Sequence, residues 1–424
     1  MAADETSPHN FPLLMNVATL QRIDRRLGIP LCFCLTRFRR WFGRRQHPSP
    51  PSLRRILFVK LAEQGSTVLA YPAIRRAVEM AGRENVYFIV FEENRFILDA
   101  LGLVPEANVI TLSFASFFSM CRTAVQAVAR MRKLKLDGAI DMEFFSRGSA
   151  AITFLSGART RVGFHTFFGE GPYRGDLMTH RLLYNPYLHT AQTFQALVEA
   201  LTQKPGTLPA FGSQPPVPDE RLPEFSPSPH DRAAMQTLLR ELSGTTARAP
   251  FILLNPNASD LVPLRRWPNP RYLELAGRLL ERFPEAHVAF TGMAAEADAI
   301  EEMTRAVGSP RCFSLAGKTT LPQLMALYTL ADVLVTNDSG PAHFASLTPI
   351  RVVALFGPET PALYAARNRR NTALWAGLVC SPCVNAYNNR QSPCQDNLCM
   401  QQISVDQVFA AVCSACTARA AAKA

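Results

Sequence analysis

Twice along this chain of 424 residues, short apolar runs alternate with segments of helical period, and a stretch rich in Pro, Gly and Ser at 203–229 separates the two series. In the first series the runs at 55–60, 86–91, 108–112 and 138–142 read as strands, with helices expected at 66–80 and 117–133. In the second, strands are expected at 251–254, 287–291, 332–336 and 351–356, with helices at 270–283 and 321–330. Strand and helix signals in this alternation predict a parallel sheet covered by helices on both faces. Two such halves predict two doubly wound α/β domains, with a ligand in the crevice at the carboxyl ends of the strands. A chain this long also exceeds what one ordinary core accommodates. The predicted division is an arm over 1–52, a first domain over 53–202, a Pro-rich linker region over 203–249, a second domain over 250–410 and a tail over 411–424.

Nearly half the residues are apolar, as in globular proteins, and 45 Lys and Arg against 34 Asp and Glu leave a net charge of +11. That excess predicts an anionic partner: nucleic acid, a phosphorylated glycolipid or a membrane surface. No basic and aromatic recognition motif lies in the folded body, which argues against nucleic acid. The opening residues lack a secretory signal, and no apolar run reaches the roughly 18 to 20 residues that span a bilayer, so a cytoplasmic location is expected. Residues 20–45 interleave Arg25, Arg26, Arg37, Arg39, Arg40, Arg44 and Arg45 with Leu27, Ile29, Leu31, Phe33, Phe38, Trp41 and Phe42. Such a segment suits the headgroup region of an anionic membrane, as a peripheral contact. It equally suits a helix packed on the first domain, with Pro30 expected to interrupt any long helix.

The sharpest local signal is the run Asn337-Asp338-Ser339-Gly340-Pro341-Ala342-His343 behind the strand at 332–336. A strand that passes through Asp-Ser-Gly-Pro into a helix is expected to leave free backbone N–H groups and a positive helix end open to the crevice, a site for a diphosphate. His343 would donate to a phosphate oxygen from the first turn. An ordinary capped helix with a satisfied histidine is the plainer reading.

With that run, three further motifs resemble glycosyltransferase family 9, the lipopolysaccharide core heptosyltransferases. They are Leu254-Asn255-Pro256-Asn257 with Arg265-Arg266-Trp267-Pro268, Thr291-Gly292 with Glu296, and Leu355-Phe356-Gly357-Pro358. The resemblance covers about 53–408 and implies a GT-B fold, two Rossmann-like doubly wound domains facing a central cleft. It implies a nucleotide diphosphate sugar, commonly ADP-heptose, as donor in the second domain, a lipopolysaccharide core or lipid A acceptor in the first, and no cofactor. Asp338, Ser339, Gly340 and His343 match the family's diphosphate and sugar loop. Arg265 stands where the family usually has Lys, keeping the charge that neutralises the departing phosphate and changing its geometry. Glu296 matches the residue that accepts from the ribose hydroxyls, and Asn257 or Ser259 would reach a phosphate. The reaction implied is a single inverting displacement that needs no metal.

One departure stands out. Family members follow the first strand with Gly-Asp-Val or Gly-Asp-Ile, whose aspartate takes the proton from the acceptor hydroxyl. Here Ser66 occupies that position, and serine is no base unaided at neutral pH. Glu63, three residues earlier in the loop, is the candidate replacement, and Glu63→Gln is expected to abolish turnover with donor affinity nearly unchanged. The alternative is a non-catalytic scaffold that binds nucleotide sugar or glycolipid.

For the acceptor, Arg147, Arg161, His165, Arg174, His180 and His189 flank turns late in the first domain, where guanidinium forks would bind a phosphorylated or carboxylated sugar; each also reads as part of a solvated basic face. Near the carboxyl end Cys380, Cys383, Cys394 and Cys399 have spacing that resembles a structural zinc site. Free thiols in a structural segment are favoured over metal there.

Overall fold

In the computed structural model the described residues are 17–42, 53–113, 115–169, 172–204, 221–244, 250–259, 262–366, 368 and 370–423. The chain opening, Arg44 and Arg45 of the basic segment, the Pro-rich break at 47–52 and most of the linker stretch, 205–220, lie outside them.

The apolar runs of the first series form β1 (Ile56–Val59), β2 (Val86–Phe91), β3 (Val109–Leu112) and β4 (Gly138–Asp141), joined by β5 (Thr160–Phe164) and β6 (His180–Leu182). The second series forms β7 (Phe251–Asn255), β8 (His287–Phe290), β9 (Cys312–Ser314), β10 (Val333–Asn337), β11 (Arg351–Phe356) and β12 (Asn371–Trp375). Every pairing is parallel. The sheets run β3-β2-β1-β4-β5-β6 and β12-β11-β10-β7-β8-β9. Read from its other edge, the second sheet repeats the order of the first. Each half therefore reverses direction once, between β1 and β4 and between β7 and β10, and at such a point the flanking loops diverge and leave a crevice.

The helix expected at 66–80 is two helices, Gln64–Leu69 and Tyr71–Ala81, with Pro72 in the first turn of the second. Proline suits the start of a helix and not its interior, so the break falls just before it. The linker region contains a helix, Pro229–Ser243, that packs on Leu321–Leu330 of the second domain. The boundary drawn at 410 falls inside one continuous helix, Val405–Lys423, which lies against β11 and the helix Asn269–Arg282. Part of the contact between the halves is apolar: Val68, Ile97 and Leu101 of the first domain join Ala342, Phe344 and Met325 of the second in one buried cluster.

The amino-terminal segment is a single helix, Val17–Phe42, that contains Pro30 within it, contrary to the expected interruption. Its contacts explain how the helix persists. Asp24, Gly28, Cys32 and Thr36 recur every four residues and form one face. Asp24 accepts from the backbone N–H groups of Arg147 and Gly148 at 2.9 and 2.8 Å, capping the helix Arg147–Leu155. A β-carbon at Gly28 would meet the Arg147 side chain at 2.6 Å, and Cys32 is fully buried. Away from these contacts Leu27, Leu31, Phe38 and Trp41 are exposed. No helix among the described residues is long and apolar enough to cross a membrane.

Candidate functional site

The carboxyl ends of β1 and β4 build the first wall. Oε1 of Glu143, just past β4, accepts from the backbone N–H groups of Leu61 and Ala62 at 2.7 and 2.9 Å and pairs with the buried Lys60 at 3.2 Å. The loop so pinned turns at Glu63 with φ 65°. Left-handed backbone costs a non-glycine residue about 1–2 kcal/mol and collects at functional sites. Ser66 donates to the Glu63 carbonyl at 2.9 Å and approaches its Oε2 at 3.4 Å, so the two candidate catalytic residues stand together.

Across the cleft, the fully buried Asn337 ends β10 and ties the loop after β7 in place, donating to Pro256 O at 2.8 Å and accepting from Trp267 N at 3.1 Å. That frame holds Arg265, whose guanidinium lies 2.5 Å from Glu359 and 3.6 Å from Asp338. From the carboxyl-terminal segment Arg390 reaches over to Glu63, with one guanidinium nitrogen 2.9 Å from Oε2 and the other paired with Oε1.

Two arginines and three carboxylates thus share one cluster, in which Asp338 and Glu359 are buried and Glu63, Arg265 and Arg390 are partly exposed. Burial alone would raise the Glu63 pKa, but Arg390, Lys60 and Arg265 together lower it to about 2. Burial raises that of Glu359 despite Arg265 beside it. Burial also works against the charged form of Arg265, yet Glu359 and Asp338 outweigh it and raise its pKa. His343, buried and close to Arg265, is lowered to about 4 and is neutral at pH 7. Several buried polar atoms here have no hydrogen-bond partner within the protein, among them Asn257 Nδ2, Asp338 Oδ2, His343 Nδ1 and Glu359 Oε1. Buried polar groups are nearly always paired in native proteins, so this convergence marks a place for polar ligand atoms.

One expectation about the helix end requires correction. The helix Gly340–Ala345 does face the opposite domain, with Ser339 at its cap position. Its amino end is covered, however: the helix Gln64–Leu69 packs on it, and a β-carbon at Gly65 would lie 3.4 Å from Gly340 Cα and 2.7 Å from His343 Cδ2. In this closed arrangement the charged cluster, and not the bare helix end, is the polar centre of the cleft.

Asn257 and Glu296 are gathered at the end of β8, where a β-carbon at Gly292 would meet Asn257 Nδ2 and Glu296 Oε2 at 3.0 Å each. Glu296 accepts from Met293 N at 2.7 Å, and Ser259 is exposed on the loop after β7. The acceptor residues are largely corrected. Arg147 pairs with Asp24, and Arg174 is buried against Asp141 while donating to the carbonyls of Ser146 and Phe164. Arg161 donates to Leu177 O, while His180 and His189 hydrogen-bond to the carbonyls of Gln203 and Ala365. Arg161, Arg174 and His180 are thus engaged within the first domain, Arg147 by the amino-terminal helix and His189 by the second domain. His165 stacks edge-on with Phe167 at 4.9 Å and is partly exposed.

Cys380, Cys383, Cys394 and Cys399 are free thiols, and among the described residues no group of three metal-ligating side chains is placed to hold a metal ion. The segment carries Tyr387 and Arg390 to the other domain. Sequence reasoning missed Arg390, Glu359, Lys60 and Glu143. Glu359 directly follows the Leu355-Phe356-Gly357-Pro358 motif, a usable signal; Arg390 stands in a turn read only for its cysteines.

The family description glycosyltransferase family 9 (heptosyltransferase) matches residues 127–392. Lipopolysaccharide heptosyltransferase 2 of Salmonella typhimurium is 35% identical over 119 residues, 27% of this chain and 33% of that protein. Lipooligosaccharide heptosyltransferase 2 of Haemophilus ducreyi is 29% identical over 222 residues, 50% of this chain and 58% of that protein. The matched stretch thus spans about a third of the first relative's length. The solved structure of Escherichia coli ADP-heptose lps heptosyltransferase II superposes with a TM-score of 0.64 at 18% identity, covering 86% of this chain and 98% of that one. That of a glycosyl transferase family 9 protein from Veillonella parvula gives 0.68 at 17% identity, covering 87% and 99%. The architecture is the GT-B arrangement of two facing doubly wound domains.

Proposed function

Given that this chain belongs to glycosyltransferase family 9, the heptosyltransferase family, we propose that it transfers a heptose or related sugar from a nucleotide diphosphate sugar to a lipopolysaccharide-type core acceptor, with inversion at the anomeric carbon. The observation that carries this reading is the partly buried cluster of Arg265, Arg390, Glu63, Asp338 and Glu359 between the domains. Such preorganised charge is suited to a transition state in which the sugar becomes positive and the departing diphosphate negative. Arg265 neutralises the departing diphosphate from the second domain. Glu63, aimed from the first, takes the proton of the acceptor hydroxyl. Asn257 and Glu296 serve the nucleotide, with Asp338, Ser339, Gly340 and His343 on the donor side once the two halves part to admit it. ADP-heptose is the proposed donor, as in the proteins this chain resembles. With fixed arginines in place the transfer proceeds without a divalent metal.

The amino-terminal helix supplies the membrane contact. It carries six arginines and a single acidic residue, Asp24, which faces inward to cap another helix. Its exposed residues include Leu27, Leu31, Phe38 and Trp41 together with Arg22, Arg26, Arg37 and Arg40, the composition of a helix lying at an anionic lipid surface. That composition supports a location at the inner face of the cytoplasmic membrane, beside a lipid-linked acceptor.

The deciding experiment is nucleoside diphosphate release. Purified protein with ADP-heptose and a deacylated core acceptor should release ADP only when both are present, at a rate unchanged by a chelator. Donor binding without acceptor-dependent release would favour the scaffold reading.

A further inference from the structure

Arg390 is positioned with more care than an interdomain strut requires. Three residues before it, Tyr387 inserts between Phe145 and Tyr184, with ring centroids 5.5 and 5.2 Å away, and donates its hydroxyl to Tyr184 O at 2.5 Å. A segment of the second domain is thereby fastened into the first domain's aromatic core, and Arg390 is delivered into the cleft. Both its terminal nitrogens meet both oxygens of Glu63, the fork geometry that arginine also offers to phosphate.

The arrangement places two cations, Arg390 and Arg265, in one cluster where Arg390 works against the charge of Arg265. Such a pair is tolerated because Glu63, Glu359 and Asp338 stand between and beside them. The carboxylates hold the place of a larger anion. While Glu63 answers to Arg390, however, it is a poor base, since an ideal proton acceptor has an affinity near the working pH.

We propose that Arg390 is a ligand of the donor diphosphate, and that it reaches the diphosphate by leaving Glu63, so that the arriving donor releases the carboxylate that deprotonates the acceptor. The inference rests on the reading of Glu63 as base. In the step that follows, the acceptor O–H proton passes to a Glu63 oxygen and the acceptor oxygen bonds to the anomeric carbon. The bond from that carbon to the diphosphate breaks, and its electron pair leaves on the nucleoside diphosphate between Arg390 and Arg265. The groups that set the affinity of Glu63 for a proton are Arg390 from the crossing segment, Lys60 from the end of β1 and Arg265 from the loop after β7. Ser66 hydrogen-bonds to it from its own helix, and His343 and Tyr364 face it from across the cleft. Of these Arg390 is the one bonded to both carboxylate oxygens.

The exchange makes a prediction that differs from that of the sequence alone, which leaves donor affinity nearly unchanged in Glu63→Gln. Ionised Glu63 competes with the donor for Arg390, so Glu63→Gln should bind ADP about 10-fold tighter than wild type, because a larger share of the protein then presents the competent guanidinium. Arg390→Gln should bind ADP roughly 10- to 100-fold more weakly, the loss expected for a charge-assisted hydrogen bond. Arg390→Lys should fall between, keeping the charge without the fork. Titration calorimetry with ADP reads all three on the full chain, and a thermal melt of each variant establishes that it is folded.

The pH profile separates an exchanging arginine from a static one. Without Arg390 the Glu63 pKa rises from about 2 toward the ordinary 4.5, and turnover needs the ionised form, so the acid limb moves to higher pH. In Arg390→Gln that limb should move for kcat/KM of the donor, which reports the free enzyme, and move little for kcat, because in wild type Arg390 has already left Glu63 in the complex. A Glu63→Gln protein that binds ADP no tighter than wild type, an Arg390→Gln protein that binds it equally well, or equal shifts of both limbs would overturn the exchange while the transferase reading stands. Failure of folded wild type to bind ADP, UDP or GDP would overturn both.

Discussion

Gly65 and His343 meet across the domain boundary so closely that a β-carbon at position 65 would lie 2.7 Å from the imidazole Cδ2. The helix Gln64–Leu69 can rest on Gly340–Ala345 only because position 65 has no side chain. Gly65→Ala is expected to cost about 1–3 kcal/mol, as overpacking of a filled interface does. It should also slow turnover more than it weakens donor binding, because closure of the two halves is what it obstructs. Denaturant melts and steady-state kinetics check this, and an alanine variant as stable and active as wild type would show that the halves do not close on this contact.

His343 links stability to pH. Its folded pKa of about 4 lies below the ordinary 6.5, chiefly through burial, so between those values the unfolded chain binds more protons than the folded one. Stability due to this residue is fully present above pH 6.5 and is lost as pH falls toward 4. At 1.4 kcal/mol per unit the loss amounts to about 3 kcal/mol at most. Urea melts at pH 7 and pH 5 should show a larger drop for wild type than for His343→Gln; equal drops would remove His343 from the acid response.

Arg265 holds two buried carboxylates at once. Arg265→Ala leaves both unneutralised, and breaking a buried ion pair from one side costs about 3–5 kcal/mol. Arg265→Lys retains the charge found at this position in the family the chain resembles. It is expected to stay folded and active with donor KM raised about 10-fold, the equivalent of one lost charge-assisted contact. A lysine variant as inactive as the alanine variant would mean that fork geometry, and not charge, is what the site requires.

The two faces of the amino-terminal helix should separate by mutation. Asp24→Ala removes the cap of the helix Arg147–Leu155 and is expected to cost about 1 kcal/mol or more, with vesicle binding retained. Phe38→Ser with Trp41→Ser, both exposed, should leave the melting temperature within about a degree while releasing the protein from phosphatidylglycerol vesicles. Binding to those vesicles should also weaken with salt. Retention of the double variant on vesicles, in a sedimentation assay, would direct the search for the membrane contact elsewhere.

Much of the fold was legible because its signals are local. The interior strands β1, β2 and β7 are apolar at nearly every position, and such runs show themselves in any window. The edge strands β6, β9 and β12 were not anticipated. Two of them are three residues long, and β12 is nowhere buried, so pairing with a neighbour, which no window contains, is what makes them strands. Pro30 misled for a related reason: a proline costs a helix in isolation, and here docking through Asp24, Gly28, Cys32 and Thr36 offsets that cost.

From its residues alone the chain determined two doubly wound halves and a loop in which Glu63 and Ser66 are neighbours, because each depends on periodicity or on positions a few residues apart. Only the tertiary structure decided which charges meet. Glu63 and Arg390 are separated by 327 positions, and Arg174 lies 33 beyond the Asp141 that engages it. Burial, which turns such encounters into shifted proton affinities, is likewise a property of the packed molecule: water must be displaced from all sides of a charge before its partner can govern it.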